Sequence, residues 1–273
     1  MATQNDRAIA FRALHDPAAP LRLLNAWDAG SAKVLAAAGA PALGTTSAGV
    51  AFALGRADGE QLTRAEMLAA VGAIVSAVEV PVSADLEAGF SVAPDGVGET
   101  VALALAAGAV GFNLEDGRAD GTLVALDEQL ARLGTARAAV AAAGIPAFVN
   151  ARTDAVWLGV GGEDEAAARV RAYAEAGADG VFVPGAKEPG VVARLAGVAR
   201  DAGASLNVLA VRGLPPVGEL GGLGVARVST GSGPARAALG AARAAAVELL
   251  VDGTYEATVG GVGYAELNAM MVG

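Results

Sequence analysis

A chain of 273 residues, 54% hydrophobic but only 4% aromatic, is long enough to bury one large core, and its 38 glycines beside abundant alanine suit small-residue helices packed on glycine-punctuated strands. The formal charge of −10, from 29 acidic against 19 basic residues, with no basic run, argues against nucleic acid as a partner, because phosphate binding needs a positive surface. The absence of Cys excludes disulfides, thiolate metal sites and a cysteine nucleophile, and is compatible with a cytoplasmic protein.

No uninterrupted apolar run reaches the ~18 residues of a membrane span, and "MATQNDRAIAFRALHD" shows no apolar core of a signal peptide. That stretch reads as a helix carrying His15, the only histidine, at a helix end or on the surface. After it one pattern recurs: an Ala-rich helix ending in Ala-Gly, a turn, then a short apolar strand. It appears in "AAAGAPALGTTSAG" (36–49), "ALAAGAVGFNLEDG" (104–117) and "YAEAGADGVFVPG" (173–185), and more weakly in "GELGGLGVARVSTGSG" (218–233). The glycine suits the left-handed residue that ends a helix.

Strands are predicted at 21–26, 42–46, 80–86, 110–116, 147–153, 180–184, 206–210 and 227–231. Most are continuously apolar, as in a parallel sheet covered on both faces. Helices are predicted at 29–38, 62–77, 95–107, 125–143, 163–176, 189–202, 216–221 and 234–250, with a last one near 262–271. Eight strand–helix units in about 250 residues predict a (β/α)8 barrel. The rival, a doubly wound open sheet, would want a G-x-G-x-x-G turn after the first strand, and "NAWDAGSA" lacks it. No linker divides the chain, so a single domain is expected over 1–273, with the barrel at about 20–250 and a C-terminal extension at 251–273.

Barrel chemistry sits at the C-terminal strand ends, and the charges collect there. Strand 1 ends in Asn25 and Asp28, and the loop after strand 2 carries Asp58. Strand 3 ends in Asp85 and Glu87, strand 4 in Glu115 and Asp116, strand 5 in Arg152 and Asp154. Asp85 and Glu87 stand two apart, which in an extended chain points both to one side. Carboxylates that close raise each other's pKa unless a cation lies between them. A hard divalent cation, most simply Mg2+ with Mn2+ as a substitute, meets that need. Mg2+ takes few direct carboxylates and keeps several waters, so Asp85 is the expected direct ligand, with Glu87, Glu115 and Asp58 acting through waters. No Cys and one His disfavour zinc. Arg152 can hold a substrate carboxylate in a bidentate fork.

The plainer reading of the same residues is a rim salt bridge of Glu115 or Asp116 with Arg152 or Arg118, and a cap or turn role for Asp85. Trp27 and Trp157 follow strands 1 and 5, either as pocket walls or as ordinary packing residues. Lys187 follows strand 6, where it is either the Schiff-base lysine of an aldolase or a solvated loop residue. "STGSGPAR" (229–236) is either an anion cradle or an ordinary turn before a helix started by Pro.

Four stretches, "NAWDAGSAKVLAAAGAPALGTTSAGVAFALGRADG", "VPVSADLEAGF", "VGFNLEDG" and "NARTDA", resemble the isocitrate lyase / phosphoenolpyruvate mutase superfamily, with the similarity running from about residue 20 to 235. The resemblance implies a (β/α)8 barrel, a final helix swapped between subunits of a dimer or tetramer, Mg2+, and a small 2-oxo acid or related carboxylate in the pocket. It implies Asp85 as direct metal ligand with Glu87 beside it, Glu115 and Asp58 as outer carboxylates, and Arg152 as the substrate-binding arginine. The backbone N–H groups of Ser47 and Ala48, in "TTSAG", are the implied binders of the substrate carboxylate. One departure matters: isocitrate and methylisocitrate lyases carry a Cys in a "KKCGH" loop after strand 4, whereas "LEDGRADGTLVALDEQ" has no Cys, Lys or His. The expected activity is therefore a Mg2+-dependent lyase or decarboxylase on a 2-oxo or 2-hydroxy dicarboxylic acid, with Arg152, Glu115 and Asp58 as catalytic candidates. The alternatives are a phosphonopyruvate hydrolase- or mutase-like P–C enzyme and a 2-oxo acid-binding protein with little turnover.

Overall fold

The computed structural model describes residues 2–272. Eight strands, β1 (Leu21–Ala26), β2 (Leu43–Thr45), β3 (Val82–Asp85), β4 (Gly111–Glu115), β5 (Phe148–Arg152), β6 (Gly180–Phe182), β7 (Ser205–Leu209) and β8 (Val225–Ser229), pair in sequence order, and β8 returns to β1 to close a barrel. Every pairing is parallel. This is the (β/α)8 barrel expected from the repeat. Five of the predicted strands are trimmed at one or both ends, and the last two lie one and two residues earlier than predicted. Pro81 and Pro184 bound β3 and β6, because proline cannot donate to the ladder.

A first helix, α1 (Gln4–Ala13), precedes the barrel. The crossovers carry α2 (Ala29–Ala37), α4 (Arg64–Ala77), α5 (Pro94–Ala106), α6 (Leu126–Ala143), α8 (Gly162–Glu175), α9 (Pro189–Asp201) and α10 (Val217–Gly222), and α11 (Gly233–Val247) follows β8. Two short helices that no apolar period announced, α3 (Ser47–Ala53) and α7 (Ala155–Leu158), lie in the loops after β2 and β5. Beyond α11 come a π-helical turn (Glu248–Asp252), α12 (Glu256–Val259) and α13 (Tyr264–Val272). Lys33 Nζ, on α2, donates to the Met271 carbonyl of α13 at 2.6 Å.

The main apolar core lies between the strands and the surrounding helices, with Leu86, Phe112, Leu114, Val149 and Val181 all fully buried. A second cluster fills the lower mouth, where α1 sets Phe11 against Leu21, Leu23, Val110 and Phe148. His15, just beyond the end of α1, stacks on Phe148 with ring centroids 3.8 Å apart and planes 15° apart. It is therefore a helix-end residue turned into the barrel floor rather than onto the surface. Gly180 makes room for this filling: a Cβ there would lie 2.7 Å from both Asn150 Oδ1 and the Phe148 ring.

Candidate active site

The C-terminal strand ends carry the acidic side chains. Asp85 closes β3, where its N–H donates to Thr45 Oγ1 at 2.8 Å. Its Oδ2 accepts the Ser47 N–H at 3.0 Å, and Asn113 Nδ2 lies 3.4 Å from its Oδ1. Thr46 caps α3 through the Gly49 N–H, which aims the start of that helix at Asp85. The Ser47 N–H, expected for a substrate carboxylate, is thus engaged by Asp85.

Glu87 departs from the expected geometry. β3 stops at Asp85, and Glu87 adopts φ 48°, so the two carboxylates do not share a face of a strand. A left-handed turn brings Glu87 round instead. Its Oε2 accepts the Glu60 N–H at 2.7 Å, and Glu60 Oε1 accepts the Phe90 N–H at 3.1 Å. Glu60 and Phe90 also have positive φ, 52° and 53°, and these three are the non-glycine residues with positive φ among the described residues. Each costs on the order of 1 kcal/mol or more, so the two loops hold Glu87 at the rim against local preference. Burial first, then the charges of Asp85, Asp58 and Glu60, push the Glu87 carboxyl up to about 8, against the pull of the Glu60 N–H.

Glu115 and Arg152 close β4 and β5 in paired register. Arg152 Nη1 lies 2.5 Å from Glu115 Oε2, and Nε and Nη2 donate to the two Asp154 oxygens at 2.7 and 3.0 Å. Burial raises the Glu115 and Asp154 carboxyls even with Arg152 beside them. Burial also works against the Arg152 charge, but Glu115 and Asp154 outweigh it and keep the guanidinium firmly protonated.

Asp116 turns the other way. It is fully buried, and its Oδ2 accepts the Tyr173 hydroxyl at 2.6 Å and Arg169 Nη1 at 3.0 Å. Its Oδ1 accepts the Asp154 N–H at 2.8 Å. Of the rim salt bridges considered from sequence, Glu115–Arg152 forms, while Arg118 pairs with Glu128 at 3.0 Å. Gly117 is needed here because a Cβ would collide with the Asp154 carboxylate.

A cavity of about 710 Å³ opens on this rim, with Glu60, Glu87, Glu115, Arg152, Arg118 and Trp157 among its walls. Asp85, Asp58, Ser47, Ala48 and Trp27 are not among its lining residues. Asp58 stands on an exposed loop, yet protein around its carboxyl and the Asp85 charge raise its pKa. Trp27 packs beside Val50, Leu62 and Met67, and Ala48 is buried in the first turn of α3. Asp28 caps α2 by accepting the Ser31 N–H at 2.6 Å. Lys187 is exposed and stands outside the cavity. In "STGSGPAR", the N–H groups of Thr230 and Gly231 donate to Asn25 Oδ1 at 2.9 and 3.0 Å, which engages them internally.

Among the described residues no three Asp, Glu or His side chains converge tightly enough to ligate one ion together. Burial first raises the Glu87, Glu115 and Asp154 carboxyls, and these acids share one arginine. Such a set of hard oxygens fits an Mg2+ held by one direct carboxylate, with the others reached through water.

A family model described as phosphoenolpyruvate phosphomutase matches residues 11–250. The chain belongs to that family. This phosphomutase-family chain is 40% identical over 265 residues to an uncharacterised protein of Mycobacterium tuberculosis, covering 97% of this chain and 96% of that one. It is also similar to the crystal structure of a Burkholderia cenocepacia protein provisionally described as a lyase/mutase, at 42% identity and TM-score 0.92, covering 99% and 97% of the two chains. Oxaloacetate acetylhydrolase in complex with oxalate follows at 26% identity and TM-score 0.86, covering 97% and 93%. 2,3-Dimethylmalate lyase, a member of the PEP mutase/isocitrate lyase superfamily, and phosphonopyruvate hydrolase complexed with oxalate and Mg2+ are matched at 27% and 26%. The neighbours are thus enzymes of C–C and P–C chemistry at nearly equal identity, so the choice between those chemistries rests on the site.

Proposed function

We propose that this phosphomutase-family barrel is a Mg2+-dependent lyase or decarboxylase acting on a small 2-oxo or 2-hydroxy dicarboxylic acid. The observation that carries this reading is the gathering of Asp85, Glu87 and Glu115 at one rim around Arg152. Asp85, with both oxygens oriented by Ser47 and Asn113, would be the direct ligand for Mg2+, and Glu87, Glu115 and Asp58 would act through water. The chemistry a bound Mg2+ supplies is stabilisation of the negative charge that develops on the substrate oxygen as the bond breaks.

Arg152 does the binding of the substrate carboxylate. Asp154 takes two of its N–H groups and fixes the guanidinium plane, which leaves Nη1 to be shared between Glu115 and the substrate. The buried Glu115 carboxyl, with its raised pKa, is suited to hold a proton close to the reacting group. The loop after β4 folds as a small hairpin, with the Arg118 N–H donating to the Thr122 carbonyl at 2.9 Å, and offers no Cys, Lys or His as an acid. Decarboxylation needs no such acid in its bond-breaking step, since CO2 leaves without a proton.

A phosphonate would bring more negative charge. The other arginines of the cavity wall are already committed: Arg118 and Arg132 to Glu128, Arg64 to Glu99. This favours C–C over P–C chemistry. We further infer a cytoplasmic homo-oligomer, a dimer or tetramer. Leu250, Val251, Tyr255, Val259 and Tyr264 are each more than half exposed, and apolar surface concentrated in one segment calls for cover; a second copy of the chain supplies it.

The deciding experiment incubates the enzyme with a panel of 2-oxo and 2-hydroxy dicarboxylates, with and without Mg2+, and measures pyruvate and CO2. Metal-dependent release from one of them is the expected result. Phosphate release from phosphonopyruvate, read by 31P NMR, would transfer the assignment to P–C chemistry. Tight 2-oxo acid binding by calorimetry with no product would make the protein a binder.

A further inference from the structure

Below the rim, the barrel holds buried polar side chains that the proposed function leaves without a role. Arg227, on β8, is 1% exposed and reaches across the barrel to β4, where its Nη2 donates to Asn113 Oδ1 at 3.3 Å. Its Nε and Nη1 are buried without a hydrogen-bond partner. None of the ion pairs among the described residues includes it. A buried guanidinium with no carboxylate in contact is costly, and burial pulls Arg227 down to about 9, with Asp85 the charge that opposes it. His15, below, is kept neutral by burial and by Arg227.

The link from Arg227 to Asp85 is one amide long. Asn113 Oδ1 accepts from Arg227 Nη2 and also from Asn150 Nδ2, at 2.8 Å. With its oxygen held by two donors, the Asn113 amide can turn only its NH2 group toward Asp85.

We propose that Arg227 sets the electrostatic potential of the active site from inside the barrel: its charge, passed to Asp85 through Asn113 and through space, favours anionic substrate and restrains divalent-cation affinity. Arg227 touches no substrate; it is a positioning residue, and its assignment rests on the oxo-acid and Mg2+ reading above. Charges within ~10 Å in a protein interior interact by more than thermal energy. Removing this one is expected to shift each affinity on the order of tenfold, in opposite directions.

Calorimetric titrations of the full-length protein with Mg2+, and then with oxalate in saturating Mg2+, test this. Arg227→Gln keeps a donor for Asn113 but loses the charge; it should bind Mg2+ about tenfold tighter and oxalate about tenfold weaker. Arg227→Lys, titrated at pH 6 so that the buried ammonium stays protonated, keeps the charge and should match the wild type at that pH. Unchanged affinities in Arg227→Gln, or a weakening of both, would overturn the proposal, the second result marking a purely structural residue. If neither Arg227→Gln nor Arg227→Met folds while Arg227→Lys does, the charge serves the barrel and the proposal falls. Failure of the wild type to bind Mg2+ is a separate outcome, which removes the metal reading and this inference with it.

Discussion

Asp116 and Asp154 are joined carboxylate to backbone, the Asp154 N–H donating to Asp116 Oδ1 at 2.8 Å. Asp154 in turn grips Arg152 with both oxygens. The position of Arg152, the proposed substrate-binding residue, therefore depends on a fully buried carboxylate that faces away from the cavity, anchored on α8 by Tyr173 and Arg169.

That dependence predicts a large effect from a residue outside the reaction. Asp116→Ala leaves the buried Tyr173 hydroxyl and Asp154 N–H without their acceptor and Arg169 with Glu165 as its one carboxylate, and should cost about 2–4 kcal/mol of stability. Tyr173→Phe removes one hydroxyl and should cost about 1–2 kcal/mol. Urea unfolding measures both. Equal, small losses for the two variants would show that Asp116 is not the anchor described.

Asp85→Asn separates metal binding from folding. The side chain keeps its shape, but its single amide oxygen can accept from Ser47 or from Asn113 and not from both; relief of the charge on Glu87, Glu115 and Asp58 offsets this, so stability should change by no more than about 1 kcal/mol. Mg2+-dependent turnover and Mg2+ heat should both disappear, because the proposed direct ligand is gone. A variant that retains full Mg2+ affinity would remove Asp85 from the metal site.

Arg152→Lys tests the planar fork. Lysine keeps the charge but cannot hold both oxygens of Asp154 while facing Glu115. The kcat/KM for the oxo-acid substrate should drop by about 100-fold or more, the equivalent of one or two charge-assisted hydrogen bonds. Wild-type efficiency in this variant would show that only the charge matters at position 152.

The barrel was legible because its signal is local and repeated. An Ala-Gly helix end followed by an apolar run such as "VGFNLED" marks each unit, and strand identity needs no partner to be recognised. The kinds of residue at the rim were legible for the same reason, since they follow directly on each apolar run even where the strand end itself lies one or two residues away from its predicted place. Their exact arrangement was not. Nothing in "DLEAGF" announces left-handed Glu87 and Phe90, because a loop 27 residues away in sequence imposes them through Glu60. Asp116 could not be separated from Glu115, because its partners Arg169 and Tyr173 lie 53 and 57 residues further on. Arg227 opens the strand predicted at 227–231, where nothing local distinguishes an arginine at a solvent-facing strand start from one crossing the barrel. Trp27 directly follows β1 and packs against α3 and the Leu62–Met67 cluster, whereas Trp157 lies five residues beyond β5, on α7, a short helix that no apolar period announces.

The C-terminal segment carries the prediction for assembly. Leu250 and Val251 are 84% and 76% exposed on the π-helical turn, and burying such side chains stabilises association by about 1.5–3 kcal/mol each. The double change Leu250→Asp and Val251→Asp should convert a dimer or tetramer to monomers in light scattering coupled to gel filtration. A wild-type protein that runs as a monomer at every concentration would refute the oligomer.

His15 gives the barrel floor a pH dependence that can be measured apart from catalysis. Burial, seconded by Arg227, pulls its pKa from 6.5 to about 3. Above pH 6.5 the ring is neutral in the folded and unfolded states alike, and its contribution to stability is fully present. As the pH falls below 6.5, the unfolded chain takes up a proton that the folded protein refuses, so stability declines until the pH approaches 3. The slope is about 1.4 kcal/mol per pH unit where the difference is complete. His15→Phe keeps a ring against Phe148 and removes the proton site together with the unpartnered Nε2 and the Nδ1 bond to the Phe11 carbonyl, two changes that offset each other at neutral pH. In urea melts the variant should therefore lie close to the wild type at pH 7.5 and gain on it by about 2 kcal/mol at pH 5. Parallel stability curves for the two proteins across that range would mean that His15 accepts its proton in the folded state and is not enclosed by the barrel floor.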